Sequence, residues 1–135
     1  MEDNKKIIYS VVDFIEKNLS EKLSLEYISK IAGYSKYHLH RMFLKEVGCT
    51  IHQYIQKRRL TEAARELVAT EKTILEIALD CGYETQQSFT FAFTNYYNVS
   101  PLIYRKIGDF KPLKLKYINL EKSKGVCMSY GEMVA

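Results

Sequence analysis

The chain repeats itself at a spacing of about 50 residues, and that repeat limits the folds open to it. Gly33-Tyr34-Ser35 corresponds to Gly82-Tyr83 followed by Glu84 and Thr85, with one inserted residue. Ile28 matches Ile77, and Leu39, Phe43 and Tyr54 match Phe89, Phe93 and Tyr104. Each copy reads as a short helix, a glycine-containing turn and a second helix begun by a hydroxyl cap. That is the outline of a helix-turn-helix. One such outline says little, because capped helix pairs abound in all-α proteins. Two copies joined by one uninterrupted helix say more.

The surrounding pattern is helical as well. Residues 5–19 place Ile8, Val11, Val12, Ile15 and Leu19 at helical spacing. Ser24 caps a short helix that Gly33 breaks, and Ser35 caps the next, which runs to Val47 before Gly48. Residues 51–69 hold neither Gly nor Pro and form the joining helix. Thr73 and Glu76 make a capping box for a helix ending at Gly82. Thr85 caps another helix, to about Tyr97, and Ser100-Pro101 opens a last short one. The fold expected is all-α, with about seven helices forming two helix-turn-helix units bridged by a long helix. The first unit covers residues 24–48 and the second 73–98, within a domain of residues 1–107. A tail of residues 108–135 follows. In it Leu113, Leu115 and Tyr117 alternate with Lys114 and Lys116, which is strand periodicity, and residues 126–130 offer a stretch to pair with.

Composition narrows the function classes. A formal net charge of +4 over 135 residues permits a nucleic-acid partner without requiring one. Cys49, Cys81 and Cys127 are odd in number and far apart, which argues against a disulfide framework or a zinc knuckle. Cys49 and Cys81 read as small packing residues of a reduced protein. No long apolar run or signal peptide is seen, so the expected location is the cytoplasm, away from membranes. His38 and His40 lie two apart and point about 200° away from each other on a helix. They cannot chelate one metal, since the helical spacing for that is i, i+4. No phosphate loop or G-x-S-x-G appears either. Neither catalysis nor a cofactor is expected.

The second helix of each unit has a computable outer face. At about 100° per residue, Leu39, Met42 and Phe43 turn inward, while Tyr37, His40, Arg41 and Leu44 turn outward. In a helix-turn-helix this outer face enters the DNA major groove. Arg41 can bond guanine O6 and N7 together, His40 can meet a base edge or phosphate, and Tyr37 can pack on sugar or a thymine methyl. The second copy exposes Gln87, Thr90, Phe91 and Thr94, with Gln86 beside them. Glutamine pairs bidentately with adenine, yet this face carries no positive charge. The alternative reading of each face is a solvated polar surface. The joining helix spans roughly 27 Å, near the roughly 34 Å between major-groove segments on one DNA face. Two such helices suit an asymmetric site bound by a monomer.

The stretches "GYSKYHLHRMF", "YIQKRRLTEAA", "ILEIALDCGY" and "QQSFTFAFTNYYNVSPLIYRK" resemble the DNA-binding domain of the AraC/XylS transcription regulators, most of all its MarA/SoxS/Rob branch. The resemblance covers about 80 residues, from Leu25 to Lys106. It implies a seven-helix domain and a bacterial regulator, often an activator that touches RNA polymerase. It sets Tyr37 where that branch usually has Trp, puts His40 and Arg41 at groove-reading positions, and puts Gln86 and Gln87 at those of the second unit. Lys36 is expected at a phosphate, as are the helix starts at Ser35 and Thr85. This chain departs from the branch at Phe91 and Thr94, where basic residues are usual, and at Asn98, where Gly usually ends the helix. The first unit is therefore expected to carry most of the affinity and sequence choice.

Two questions stay open at this level. The tail is loosely similar to the start of the effector-binding domain appended in Rob-like regulators, but only 28 residues follow Ile107. A truncated remnant, an extra hairpin and a partly disordered basic tail all fit. Lys111, Lys114, Lys116, Lys122 and Lys124 would add phosphate attraction there. The other open question is a protein-interaction module without strong DNA binding, which exposed Phe91 and the uncharged second face would also suit.

Overall fold

Hydroxyl side chains mark where the helices of this protein begin. Ser24, Ser35, Thr73, Thr85 and Ser100 each stand in extended backbone and accept a hydrogen bond from the backbone N–H three residues on. Thr73 and Glu76 close the expected capping box. Thr50 and Gln53 form a second reciprocal pair that sequence reading missed: the Gln53 N–H donates to Thr50 Oγ1, and the Thr50 N–H to Gln53 Oε1, both at 3.0 Å. A computed structural model describes residues 2–117 and shows seven helices, all but the first started by these caps. They are α1 Glu2–Lys17, α2 Leu25–Ala32, α3 Lys36–Val47, α4 Ile51–Ala69, α5 Ile74–Asp80, α6 Gln86–Tyr97 and α7 Pro101–Ile107. The fold is all-α, with seven helices among the described residues. Helix α5 stops earlier than expected, because Cys81 rather than Gly82 is its cap.

The chain forms two compact units. The first takes α1, α2, α3, the start of α4 through Ile55, and Leu115–Tyr117. Its core holds Ile8, Val12, Ile15, Ile28, Leu39 and Phe43, each 1% exposed or less. The Phe43 ring meets Tyr54 edge-on at 5.6 Å. Helices α1 and α2 both pack on α3, so its inward stripe is fixed and its outward stripe is left to solvent.

The second unit takes Leu19–Lys22 and Gln56–Lys114. Its core joins Leu60, Ala64, Leu67, Ile77, Phe89 and Phe93. Phe93 stacks on Tyr97 at 4.7 Å and meets Tyr104 edge-on at 5.4 Å. Such aromatic pairs add about 0.5–1.5 kcal/mol each beyond their burial. Cys81 is buried, donates to the Ala78 carbonyl, and has its thiol pushed up to about 12 by burial. Arg105 caps the end of α4 by donating to the Leu67 and Thr70 carbonyls.

Residues 111–117 correct the strand expected at Leu113–Tyr117. No strand occurs among the described residues, and this segment runs irregularly. A strand needs a partner for its backbone groups, and here side chains take that role. In the second unit, Lys111 N–H donates to Tyr104 Oη, Lys114 N–H donates to Thr61 Oγ1, and buried Arg58 donates to the Lys114 carbonyl at 2.7 Å. In the first unit, Tyr117 N–H donates to Tyr54 Oη at 3.0 Å, and the Tyr117 hydroxyl donates to Glu46 at 2.7 Å. The Tyr117 ring stacks on Tyr9, and Lys116 pairs with Asp13 at 2.8 Å. The second stretch expected to pair, residues 126–130, lies outside the described residues.

The turn glycines of the two repeats differ in surroundings. Gly33 and Gly82 both take left-handed backbone, at φ +82° and +93°. An added Cβ at Gly33 meets nothing within 4 Å, whereas at Gly82 it would lie 2.8 Å from Arg59 Cζ. Arg59 cannot easily withdraw, because it donates to the Leu19 and Glu21 carbonyls. Gly33→Ala should cost about 1 kcal/mol and Gly82→Ala about 2–3 kcal/mol in urea unfolding. Tyr54→Phe removes the hydroxyl that donates to Glu16 and accepts from Tyr117. The same assay should show it about 1–2 kcal/mol less stable.

Candidate nucleic-acid interface

Helix α3 turns about its buried stripe. Leu39 and Phe43 are fully buried and Met42 nearly so, which aims the opposite side outward. Tyr37 is 78% exposed, Arg41 is exposed and His40 half-buried. These three share one face, as helical counting expects. Lys36 lies at the helix start and pairs loosely with Glu26, 3.6 Å away and itself well exposed. A pair of that kind is worth little, so the Lys36 ammonium remains available to an anion. Ser35 Oγ accepts the His38 N–H, which fixes the first turn. His38 is exposed and meets the Tyr34 ring edge-on at 5.2 Å, while His40 lies elsewhere on the helix. Among the described residues no three His, Cys, Asp or Glu side chains gather as a metal site.

Helix α6 repeats the design with other chemistry. Phe89 and Phe93 are fully buried, so Gln86, Gln87 and Phe91 stand exposed and Thr90 and Thr94 half-exposed. With Asn95 they line one shallow depression on the surface of the second unit. Phe91 is 71% exposed. No residue from Gln86 to Tyr97 is charged. The Thr85 hydroxyl accepts the Ser88 N–H and donates to Ser88 Oγ at 2.9 Å, so its proton is engaged within the cap. Asn98 ends the helix at φ +68°, a left-handed conformation that asparagine tolerates in place of glycine. Lys45 and Asn95 extend the two exposed stripes and were not singled out from sequence. Each stands four residues beyond an exposed position, Arg41 and Phe91, and that count finds both.

Lys116 is paired with Asp13, and Lys111 lies 3.8 Å from Asp109. Lys122 and Lys124 lie outside the described residues.

Two capped helix pairs, each baring the outer face of its second helix, define a double helix-turn-helix DNA-binding protein. A family model described as "Helix-turn-helix domain" matches residues 28–107. The chain is 48% identical over 98 residues to the multiple antibiotic resistance protein MarA of Escherichia coli, covering 73% of this chain and 77% of that one. It is 43% identical over 99 residues to the HTH-type transcriptional activator AarP of Providencia stuartii, covering 73% of each. Among solved structures, the C-terminal domain of the response regulator AraT from Geobacillus stearothermophilus matches with a TM-score of 0.73 at 35% identity. That match covers 75% of this chain and 84% of the other. The chain belongs to the AraC/XylS family of transcription regulators, in its MarA/SoxS/Rob-like branch. It is a sequence-specific DNA-binding regulator and not an enzyme. Among the described residues no helix is long and apolar enough to cross a membrane.

The exposed faces and the buried stripes should separate cleanly by mutation. Tyr37→Ala should leave unfolding free energy within about 0.5 kcal/mol of wild type. Leu39→Ala, two residues on, should cost about 2–5 kcal/mol in the same urea titration.

Proposed function

We propose that this protein activates transcription by seating α3 and α6 in adjacent major-groove segments of one asymmetric site, with α3 dominant. The observation that carries this reading is the outward face of α3, where Tyr37, His40 and Arg41 stand together. Arg41 would read guanine O6 and N7, with His40 and Tyr37 at neighbouring bases or sugar. Lys36 and the backbone N–H groups at the α3 and α6 starts, beside Ser35 and Thr85, would meet phosphates. Gln86, Gln87 and Thr90 would make the weaker contacts of the second unit. The two faces differ chemically, so the site would lack two-fold symmetry and a monomer would suffice. Activation is supported by the likeness to AarP, a transcriptional activator, and contact with RNA polymerase in the bacterial cytoplasm would follow from it.

A second reading keeps one specific observation, the exposed Phe91 on an uncharged helix, and makes that face a protein-docking surface. Titration of DNA selected from random duplexes distinguishes the two. Arg41→Ala should lose about 1–3 kcal/mol of binding free energy and Gln87→Ala less. A greater loss from Gln87→Ala would overturn the ranking of the two helices. Affinity should also fall steeply with salt as phosphates are neutralised. A flat salt response would favour the protein-docking reading.

A further inference from the structure

Phe91 is the feature that the double-groove reading leaves without a task. Its ring is 71% exposed at the middle of α6, with Thr90 and Thr94 beside it. Gln87 lies one turn earlier on the same stripe, about 5–6 Å away between Cβ atoms. The face therefore offers side-chain amides, then a bare ring flanked by threonines, and no cation. Guanine is read chiefly by Arg or Lys, and α6 supplies neither. Adenine is read by the amide of Gln or Asn, and thymine by apolar contact with its 5-methyl group. Gln87 and Phe91 stand four residues apart, about 6 Å along the helix axis. That is close to two base-pair steps of about 3.4 Å, so amide and ring can address A·T pairs two steps apart.

We infer that Phe91 is a specificity-determining residue that packs on thymine 5-methyl groups, so that the second unit selects A·T pairs by apolar contact instead of by charge. The inference rests on the groove-binding reading above. Selection by α6 then depends little on salt, because no side-chain charge on that helix neutralises a phosphate.

Replacing thymine with deoxyuridine removes only the methyl group. The full chain and a selected duplex are titrated with each thymine replaced in turn, using wild type, Phe91→Ala, Phe91→Leu and Arg41→Ala. At one or more thymines wild type should lose about fourfold in affinity, the factor for burying one methyl-sized group. Phe91→Ala should lose nothing at those thymines, Phe91→Leu should keep part of the effect, and Arg41→Ala should keep all of it. Equal uracil penalties in wild type and Phe91→Ala, or none in either, overturn the inference while DNA binding itself stands. Loss of self-association or of a protein contact in Phe91→Ala, with its DNA titrations unchanged, also overturns it and assigns the face to protein docking. If no duplex is bound at all, the groove-binding reading fails and the inference with it. Matching thermal melts of wild type and Phe91→Ala establish that the exposed ring carries no folding role.

Discussion

A hydroxyl oxygen accepting a backbone N–H at a helix start is the interaction on which this structure turns. It fixes the residue at which each helix after α1 begins, and hence the rotational phase of every side chain that follows. The Ser35 cap aims Leu39 and Phe43 into the core and Arg41 away from it. The Thr85 cap does the same for Phe89, Phe93 and Phe91. A helix begun one residue later would rotate that pattern by about 100°. Each cap contributes only about 1 kcal/mol, yet it chooses which face is exposed.

The two units share a skeleton and part at their surfaces. Core residues match across the repeat, from Leu39 and Phe89 to Tyr54 and Tyr104, because both units solve the same packing problem. Outer positions are free of that constraint, and there Arg41 of one copy stands where the other has Phe91. The exposed faces differ chemically on a common frame. Tyr54 and Tyr104 also share a second task, since each accepts a backbone N–H from the segment after α7. A duplicated core position thus holds the same strap in both units.

What was legible in the sequence followed from periodicity and from caps. Ile8, Leu39 and Phe93 lie at helical spacing, and Ser24, Ser35, Thr73 and Thr85 precede apolar runs, so those elements could be read directly. The outward set on α3 came from the same count. Charge at buried positions was not legible. Arg58 is 5% exposed and spends its donors on the Lys114 carbonyl and Glu62. Such a partner, more than fifty residues away in sequence, leaves no local signature. The alternation of Leu113, Leu115 and Tyr117 has the period of a strand, but period-two patterning cannot reveal what satisfies the backbone. Arg59 behind Gly82 was invisible for the same reason, since only the fold brings them together.

The buried thiol of Cys81 has a consequence for how such a regulator lives in a cell. The thiolate is the form that attacks oxidants and disulfides, and burial pushes the Cys81 thiol up to about 12, so it stays protonated at neutral pH. The side chain sits one residue before the turn that orients α6, where sulfenic acid or a mixed disulfide would pry the second unit apart. Burial therefore makes Cys81 chemically quiet at the point where reactivity would do most damage.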